Sequence, residues 1–259
     1  MPSSGDKIEE MDRQVEAEFV EEVREIVDGL EVLIGNMRSK SAPMAESLQR
    51  IQRDMVNVAI RGSTVDQPLV TIVAHRLGEY VAELTEADSR QLDDMIAFLD
   101  QIRQALDGKV SSSASASIVR ALPVRVIGNF NPADVKITNI EVLLVVPDRA
   151  TSRIVEREMQ ACGYRTSTVR SPFQALETAV RTKPDLVVIS GQLEDLSGVD
   201  LATAFASMPS TRGIKVAVLT SHGWGHPSLQ ELPARVPVIR KGGSFGDDLA
   251  EALARLQIT

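Results

Sequence analysis

The first half of the chain carries apolar residues at spacings of three and four, which place them on one face of an α-helix. The longest such stripe consists of Val15, Phe19, Val23, Ile26, Leu30, Leu33 and Met37. Three further stripes follow over residues 44–58, 69–84 and 89–106, with short connections between them. Short connections between amphipathic helices favour antiparallel neighbours. Residues 15–107 are therefore predicted to form an antiparallel four-helix bundle, preceded by a polar, disordered N-terminus over residues 1–14.

Residues 108–140 follow neither a helical nor a strand period. The run DGKVSSSASA at 108–117 is rich in small residues, which is typical of a flexible linker. Residues 118–140 are β-prone but irregular. We predict a linker over 108–140, and the alternative is an extra strand or an arm that packs on a partner.

From Glu141 onward, short apolar runs alternate with helical stretches. The predicted strands occupy residues 142–146, 164–169, 185–190, 215–220 and 236–240. Buried strands that alternate with helices form a parallel sheet covered on both faces. Five strands and five helices fit the doubly wound, flavodoxin-like order. The predicted fold class is thus α + α/β, with a helical bundle followed by an α/β domain over residues 141–259.

Composition and charge narrow the classes of function. Cys162 is the single cysteine, so an internal disulfide or a cysteine metal cluster is excluded. No apolar run approaches the length that spans a bilayer, and we expect a cytoplasmic protein without membrane attachment. Residues 1–110 carry 12 Lys+Arg against 22 Asp+Glu, a net charge of −10, whereas the remainder carries +2. An acidic front half repels phosphate backbones, which argues against nucleic-acid binding.

The candidate chemistry lies where the predicted strands end. In an open parallel sheet, ligands bind at the carboxyl ends of the strands. The polar residues at these ends are Asp148, Ser190, Thr220 and Lys241. They form the candidate pocket of the second domain.

Four segments around these residues resemble the receiver domain of bacterial response regulators, the CheY-like family: VLLVVPDRATSRIVEREMQACGY, PDLVVISGQLEDLSGVDLA, VAVLTS and VPVIRKGG. The resemblance covers roughly residues 141–257. It implies an acidic pair and a phosphoacceptor carboxylate that together hold Mg²⁺, with a hydroxyl and a lysine that bind the phosphoryl oxygens. On this sequence the acidic pair corresponds to Pro147 and Asp148, the phosphoacceptor to Ser190, the hydroxyl to Thr220 and the lysine to Lys241.

The departures from that family pattern predict a degenerate receiver, or pseudo-receiver. Pro147 and Ser190 stand where two of the three carboxylates belong. Mg²⁺ in proteins is held by one or two carboxylates together with waters and phosphate, so we expect no magnesium at this position. We also expect no other cofactor or metal. A serine is a weak nucleophile without an activating base, and aspartyl-phosphate chemistry is excluded at this position. The aromatic residue that receivers carry three residues before the lysine is also replaced, by Val238.

Two interpretations remain open for the polar residues of this pocket. Asp148 and Lys241, with Thr220 beside them, form an ion pair that holds the strand ends together, which is the interpretation we favour. Alternatively, Asp148, Ser190, Thr220 and Lys241 bind a small anion or a nucleotide. The chain has no Gly-rich phosphate loop, which counts against a nucleotide enzyme.

The helical half resembles the histidine phosphotransfer (Hpt) bundle in two short patches. These are Arg61-Gly62-Ser63 and the later segment VAHRLGEYV. The first patch places Val58 where the family carries its phosphoacceptor histidine, whereas counting back from the second places Val56 there. Both alignments put a valine at that position, so a degenerate Hpt-like bundle is predicted, with a generic dimerising bundle as the alternative.

Two further residues are candidates for function. His75 lies between the core face and the flank of the third helix and is an alternative phosphoacceptor, although an ordinary surface histidine is the simpler interpretation. Trp224 lies between two glycines in the run His222-Gly223-Trp224-Gly225-His226. It is either an anchor for a partner or a residue that packs on its own domain.

These observations predict a non-enzymatic adaptor of a bacterial two-component phosphorelay. Its expected partners are histidine kinases, phosphotransfer proteins or response regulators, and the helical half is a candidate for homodimerisation. The alternatives are an active phosphotransfer protein that uses His75 and a sensor of small anions or nucleotides.

Overall fold

The computed structural model describes residues 4–82, 84–108, 114–124, 138–223 and 225–258. The chain divides into two compact units, residues 1–123 (unit 1) and 124–259 (unit 2). Each unit encloses its own hydrophobic core. The elements of unit 1 are the helices α1 (Ser4–Arg38), α2 (Met44–Thr64), α3 (Pro68–Val81), α4 (Ser89–Leu106) and α5 (Ser115–Ala121).

Unit 1 is a ring of four helices with a short fifth helix against it. Contacts join α1 to α2, α2 to α3, α3 to α4 and α4 to α1, and α5 packs on α3. The stripes predicted from the sequence face inward, and the core contains Phe19, Leu30, Ile51, Leu77, Met95 and Phe98. Asp88 begins α4 with a capping box, because its carboxylate accepts from the Gln91 amide at 2.8 Å and the Gln91 side chain accepts from the Asp88 amide at 2.9 Å. The helical bundle predicted from periodicity is confirmed.

Two predictions about the ends of unit 1 need correction. α1 begins at Ser4, so residues 4–14 are helical rather than disordered. Within the predicted linker, residues 115–121 form α5. Its Val119 is buried and the following Leu122 joins the core of unit 1, which gives this small-residue segment a packed face. The other linker residues, 109–113 and 125–137, lie outside the described part of the chain.

Unit 2 is a five-stranded parallel sheet in the order β2-β1-β3-β4-β5. Its strands are β1 (Glu141–Val145), β2 (Arg165–Val169), β3 (Leu186–Ser190), β4 (Lys215–Thr220) and β5 (Val238–Arg240). Its helices are α6 (Arg149–Ala161), α7 (Pro172–Thr182), α8 (Gly198–Ser207) and α9 (Phe245–Leu256). β1 and β3 are buried along their whole length, as expected for strands with helices on both faces. The doubly wound, flavodoxin-like fold is confirmed.

Each face of the sheet has a separate core. Alternate residues of β1 and β3 pack with α6 and α9 on one face, and the residues between them pack with α7 and α8 on the other. The prediction of five helices in this domain was wrong for one crossover. Among the described residues between β4 and β5, the helical element is a single 3-10 turn, Pro227–Leu229. Val236 and the partly buried Leu232 cover the sheet there instead.

Candidate functional site at the carboxyl edge of the sheet

The predicted pocket residues follow four neighbouring strands. Asp148 lies three residues after β1, Ser190 ends β3, Thr220 ends β4 and Lys241 follows β5. Because β1, β3, β4 and β5 are adjacent and parallel, these residues lie along one edge of the sheet. This is the edge at which doubly wound proteins bind ligands.

Ser190 occupies a closely packed position at the end of β3. Its residue is 3% exposed, and the amide of the following Gly191 donates to the Leu219 carbonyl of β4 at 2.7 Å. A Cβ on Gly198 would lie 2.2 Å from the Ser190 carbonyl oxygen, so only glycine allows the start of α8 to approach this strand. Among the described residues, no group forms a hydrogen bond with the Ser190 hydroxyl. The backbone is thus closely constrained around a buried hydroxyl that has no partner in the described part of the chain.

Asp148 is used as a helix cap. It is exposed, and its carboxylate accepts from the Thr151 amide at 2.7 Å at the start of α6. Hydrogen bonds from the Thr151 side chain and amide lower the pKa of Asp148, and the positive charge of Lys241 lowers it further. Of the three acidic positions that the receiver pattern implies, Asp148 is the one that keeps its carboxylate, and this carboxylate is already bonded to its own helix.

Lys241 is positioned through its backbone. Its amide donates to the Thr220 carbonyl at 2.8 Å, and Gly242 follows with a φ of 108°, a left-handed conformation that favours glycine. The ion pairs of the described residues do not include one between Lys241 and Asp148, so the favoured interpretation of a direct structural pair was wrong. The influence of Lys241 on Asp148 is a longer-range electrostatic one.

Arg240 forms a salt bridge that was not predicted from the sequence. Its guanidinium contacts both carboxylate oxygens of Asp248 on α9, at 2.7 and 2.8 Å, and its amide donates to the same carboxylate at 2.9 Å. This bidentate pair lowers the pKa of Asp248. It joins the end of β5 to α9, directly before Lys241. The only sequence signal for the Arg240–Asp248 pair was its spacing, an arginine next to the lysine with an aspartate eight residues after that arginine.

Thr220 connects the pocket to the loop that follows β4. The residue is 6% exposed, and its hydroxyl oxygen accepts from the His222 amide at 3.2 Å. The rings of His222 and His226 stack with their centroids 3.8 Å apart. Trp224, the predicted partner anchor between them, lies outside the described residues. Val238, at the position of the receiver aromatic, is buried in β5 and pairs with Val218.

The residues present at this edge do not fit a magnesium site. Of the three oxygen positions implied by the receiver pattern, Pro147 and Ser190 offer no carboxylate, and Asp148 is committed to capping α6. Within the described part of the chain, no group of three or more His, Cys, Asp or Glu side chains could hold a metal ion. The edge combines two buried hydroxyls with one ammonium group, a set that suits an anion rather than a cation.

In unit 1 the structure distinguishes between the two alignments of the missing histidine. Val58 is 2% exposed and lies in the core, whereas Val56 is 45% exposed. A phosphoacceptor must reach a partner, so exposure favours Val56 over Val58, and the correspondence of either valine to a phosphoacceptor position stays a prediction. Gly62 has a packing role, because a Cβ there would lie 2.6 Å from the Thr71 hydroxyl of α3.

His75, the alternative phosphoacceptor, lies on α3 at intermediate exposure. Its Nε2 atom is 3.7 Å from Oε2 of Glu79, one helical turn later, with both side chains 31% exposed. This is the flanking position expected from the helical stripe. The phosphoacceptor role stays a prediction.

No helix among the described residues has the length and apolar character needed to cross a membrane.

Comparisons with known proteins found similarity over part of the chain. No protein-family model matches it. The chain is 30% identical over 88 residues to the transcriptional regulatory protein PrrA of Mycobacterium leprae, which covers 34% of this chain and 37% of that protein. It therefore spans little more than a third of the length of this curated relative.

Three solved structures illustrate the similarity of fold. A response regulator from Chloroflexus aurantiacus is 20% identical with a TM-score of 0.41, covering 46% of this chain and 98% of that one. The receiver domain of the sensor histidine kinase PA1611 from Pseudomonas aeruginosa is 18% identical with a TM-score of 0.40 (46% and 98%). CheY4 of Vibrio cholerae is 18% identical with a TM-score of 0.40 (45% and 98%). The strand order β2-β1-β3-β4-β5 itself gives unit 2 the flavodoxin-like fold of CheY-type proteins.

Proposed function

We propose that the protein is a non-catalytic signalling adaptor of a bacterial two-component phosphorelay, in which a pseudo-receiver acts by binding other proteins. The observation that carries this proposal is the identity of the three residues at the receiver's acidic positions. Pro147 and Ser190 supply no carboxylate, and Asp148 caps α6. A site of this kind has neither the ligands for a divalent ion nor an acyl-phosphate acceptor.

The proposed partners are histidine kinases, phosphotransfer proteins or response regulators, and we place the protein in the cytoplasm with them. Unit 1 supports the adaptor role in the same way, because its histidine position carries the exposed apolar Val56. Ile60 lies one turn later on α2 and is 61% exposed. These two side chains give unit 1 an apolar contact surface through which it binds a partner or a second copy.

A direct test is phosphorylation of the full-length protein by acetyl phosphate in the presence of Mg²⁺, followed by intact-mass analysis. The wild-type chain is expected to gain no phosphoryl group. The matched positive control is the double variant Pro147→Asp/Ser190→Asp, which restores the acidic positions on the same backbone and is expected to gain one.

Two outcomes would contradict the adaptor proposal. Stoichiometric phosphorylation of the wild type at Ser190 would show that the pocket is active. A phosphoryl group transferred from a kinase and lost in a His75→Ala variant would instead assign phosphotransfer to unit 1.

A second candidate function, anion sensing, is favoured by the unpartnered Ser190 hydroxyl. A buried hydroxyl without a protein partner is costly unless a ligand or water satisfies it. Thr220 and Lys241 at the neighbouring strand ends supply a second hydroxyl and a positive charge. We therefore propose, as the alternative role, that this pocket holds a small oxyanion without a metal.

Thermal shift against inorganic phosphate and sulfate tests this alternative. Saturation at about 100 times the dissociation constant stabilises a protein by about 2.7 kcal/mol. The stabilisation should be lost in Lys241→Gln and kept in Lys183→Gln, a lysine on the opposite edge of the sheet, after α7. Equal shifts in both variants would indicate a non-specific salt effect.

A further inference from the structure

α1 is much longer than the helices that it packs against. It has 35 residues, whereas α2 has 21 and α4 has 18. At 1.5 Å per residue, α1 is about 52 Å long and α2 about 31 Å. Phe19 is the first buried residue of α1, and every residue from 9 to 18 is exposed. α1 therefore extends beyond the core of unit 1 for about two to three turns.

The hydrogen bonds of α1 show where its contact with the bundle begins. Gln67, before α3, donates to the Glu16 carboxylate at 2.6 Å, and Arg61 of α2 pairs with Glu22. Before Glu16, the hydrogen bonds of the described side chains stay within α1 itself, such as that from Arg13 to the Glu9 carbonyl. None of the described residues of unit 1 covers residues 9–15 of the helix.

The uncovered part of α1 carries an apolar row. Met11 is 61% exposed and Val15 is 48% exposed. They lie four residues apart and four residues before the buried Phe19, so the row continues the core stripe of the bundle onto bare helix. Single exposed apolar residues are common, but two in line with a core stripe mark a contact surface.

Acidic side chains lie on both sides of this apolar row. Asp12 is three residues before Val15 and Glu18 is three residues after it, so both are neighbours of Val15 on the helix surface, one on each side of the row. Among the described residues, no ion pair neutralises Asp12 or Glu18. A second copy of α1 would bring like charges together at this surface, whereas a cationic partner would complement it.

We propose that residues 9–18 of α1 form a docking element for a cationic amphipathic segment of another protein. The partner's apolar side chains would cover Met11 and Val15, and its Lys or Arg side chains would face Asp12 and Glu18. This docking element does not depend on the adaptor role, because it stands on the exposure and charge of α1 alone.

The test uses the full chain and an 18-residue synthetic peptide of Leu and Lys in helical spacing, with fluorescence anisotropy as the readout. A scrambled peptide of the same composition lacks the apolar face and serves as the ligand control. We expect the amphipathic peptide to bind at least tenfold more tightly than the scrambled one. Binding should weaken between about 50 mM and about 300 mM salt, because exposed charges are screened.

Two double variants separate the apolar and electrostatic contributions. Met11→Gln/Val15→Gln should weaken binding at least tenfold, and Asp12→Asn/Glu18→Gln at least threefold with a smaller salt dependence. Val32→Gln is the matched control, since Val32 is 65% exposed on the same helix but outside the docking element. All of these changes are at exposed positions, and circular dichroism confirms that each variant is folded. Hydrogen exchange should show slower exchange of amides 9–18 when the peptide is bound.

The proposal would be overturned if the amphipathic and scrambled peptides bound with equal affinity, or if the Met11→Gln/Val15→Gln variant bound as tightly as the wild type. Either result would mean that binding is a general attraction between opposite charges. A concentration-dependent dimer that excludes the peptide and is lost in that variant would assign the surface to a second copy of the chain, which also overturns it.

Discussion

The two positions that the sequence aligns with phosphoacceptors carry different kinds of side chain in the two units. In unit 2 this position is Ser190, a buried polar side chain at the end of β3, with Thr220 at the end of the neighbouring β4 and Lys241 after β5. In unit 1 the more exposed of the two aligned positions is Val56, an apolar side chain on the surface. The serine can form hydrogen bonds with a ligand. The valine offers only a surface for contact, because it has neither a charge nor a hydrogen-bonding group.

The difference follows from how each position is constrained. Ser190 lies within a parallel sheet, where Gly191 and Gly198 constrain the backbone at close range. Val56 lies on one exposed face of a helix, where a side chain can change without disturbing its neighbours. A different side chain at position 190 therefore leaves the surrounding backbone in place. A different side chain at position 56 changes the surface that the helix presents.

The largest expected effect is in the framework of unit 2. Gly198→Ala would place a Cβ 2.2 Å from the Ser190 carbonyl oxygen and 2.7 Å from the Gly191 Cα atom. Both are backbone atoms, so β3 or α8 must shift, and we expect a loss of about 3 kcal/mol in the stability of unit 2. Hydrogen exchange of the β3 amides measures this unit separately. Gly213→Ala is the control, with no atom within 4 Å of its Cβ, and an equal loss there would refute the steric explanation.

A smaller effect separates the two histidine alignments of unit 1. Val58→His buries an imidazole in the core and should cost about 2 kcal/mol, because a polar group loses its water. Val56→His lies on the surface and should change stability by less than about 0.5 kcal/mol. Chemical denaturation followed by circular dichroism compares the two. If both variants were equally stable, burial would not distinguish the two positions.

Buried hydroxyls in the two units should respond in opposite ways. Tyr80 in unit 1 donates to the Asp94 carboxylate at 2.7 Å, and burial raises the pKa of Tyr80. Tyr80→Phe removes this bond and should cost about 1 kcal/mol. Ser190→Ala removes a hydroxyl that no described protein group satisfies, so it should be neutral or stabilising in the absence of ligand. A cost for Ser190→Ala similar to that for Tyr80→Phe would mean that Ser190 is satisfied in solution.

The smallest expected effect is the acid dependence of the Arg240–Asp248 pair. The hydrogen bond from Arg240 lowers the folded-state pKa of Asp248. The stabilisation is therefore present above the pKa of the unfolded chain and is lost as the pH falls through the pKa of the folded protein. The Arg240 side chain is 45% exposed, so solvent screens the pair and we expect only a small effect on stability. Asp248→Asn should lower stability at pH 7 and have little effect at about pH 3. An equal loss at both pH values would exclude the electrostatic explanation.

Several elements could be predicted because their signals are local. The capping residue Asp88, the helical stripes and the buried runs of β1 and β3 all follow from periodicity and propensity within a few residues. The β4–β5 connection could not be predicted in this way. Whether a crossover forms a helix depends on what covers the sheet, and here Val236 and Leu232 do so from an irregular segment.

The candidate site was predicted in part for the same reason. Order along the chain identified Asp148, Ser190, Thr220 and Lys241, because parallel strands bring their carboxyl ends to one edge. Which of these side chains pair could not be predicted, since pairing depends on how the side chains are oriented in the folded domain and not on sequence spacing alone. The structure pairs Asp148 with Thr151 instead of Lys241, and it reveals the Arg240–Asp248 pair.

By itself the sequence determined the class of each unit, the strand ends that carry polar residues and the absence of carboxylates at two receiver positions. These properties depend on residue identity and short-range spacing, which no packing can alter. The tertiary structure alone decided that Val58 is buried while Val56 is exposed, that no described residue bonds the Ser190 hydroxyl, and that α1 extends past its bundle. Exposure and pairing are properties of the assembled fold, because they depend on which distant segments come to lie beside each residue.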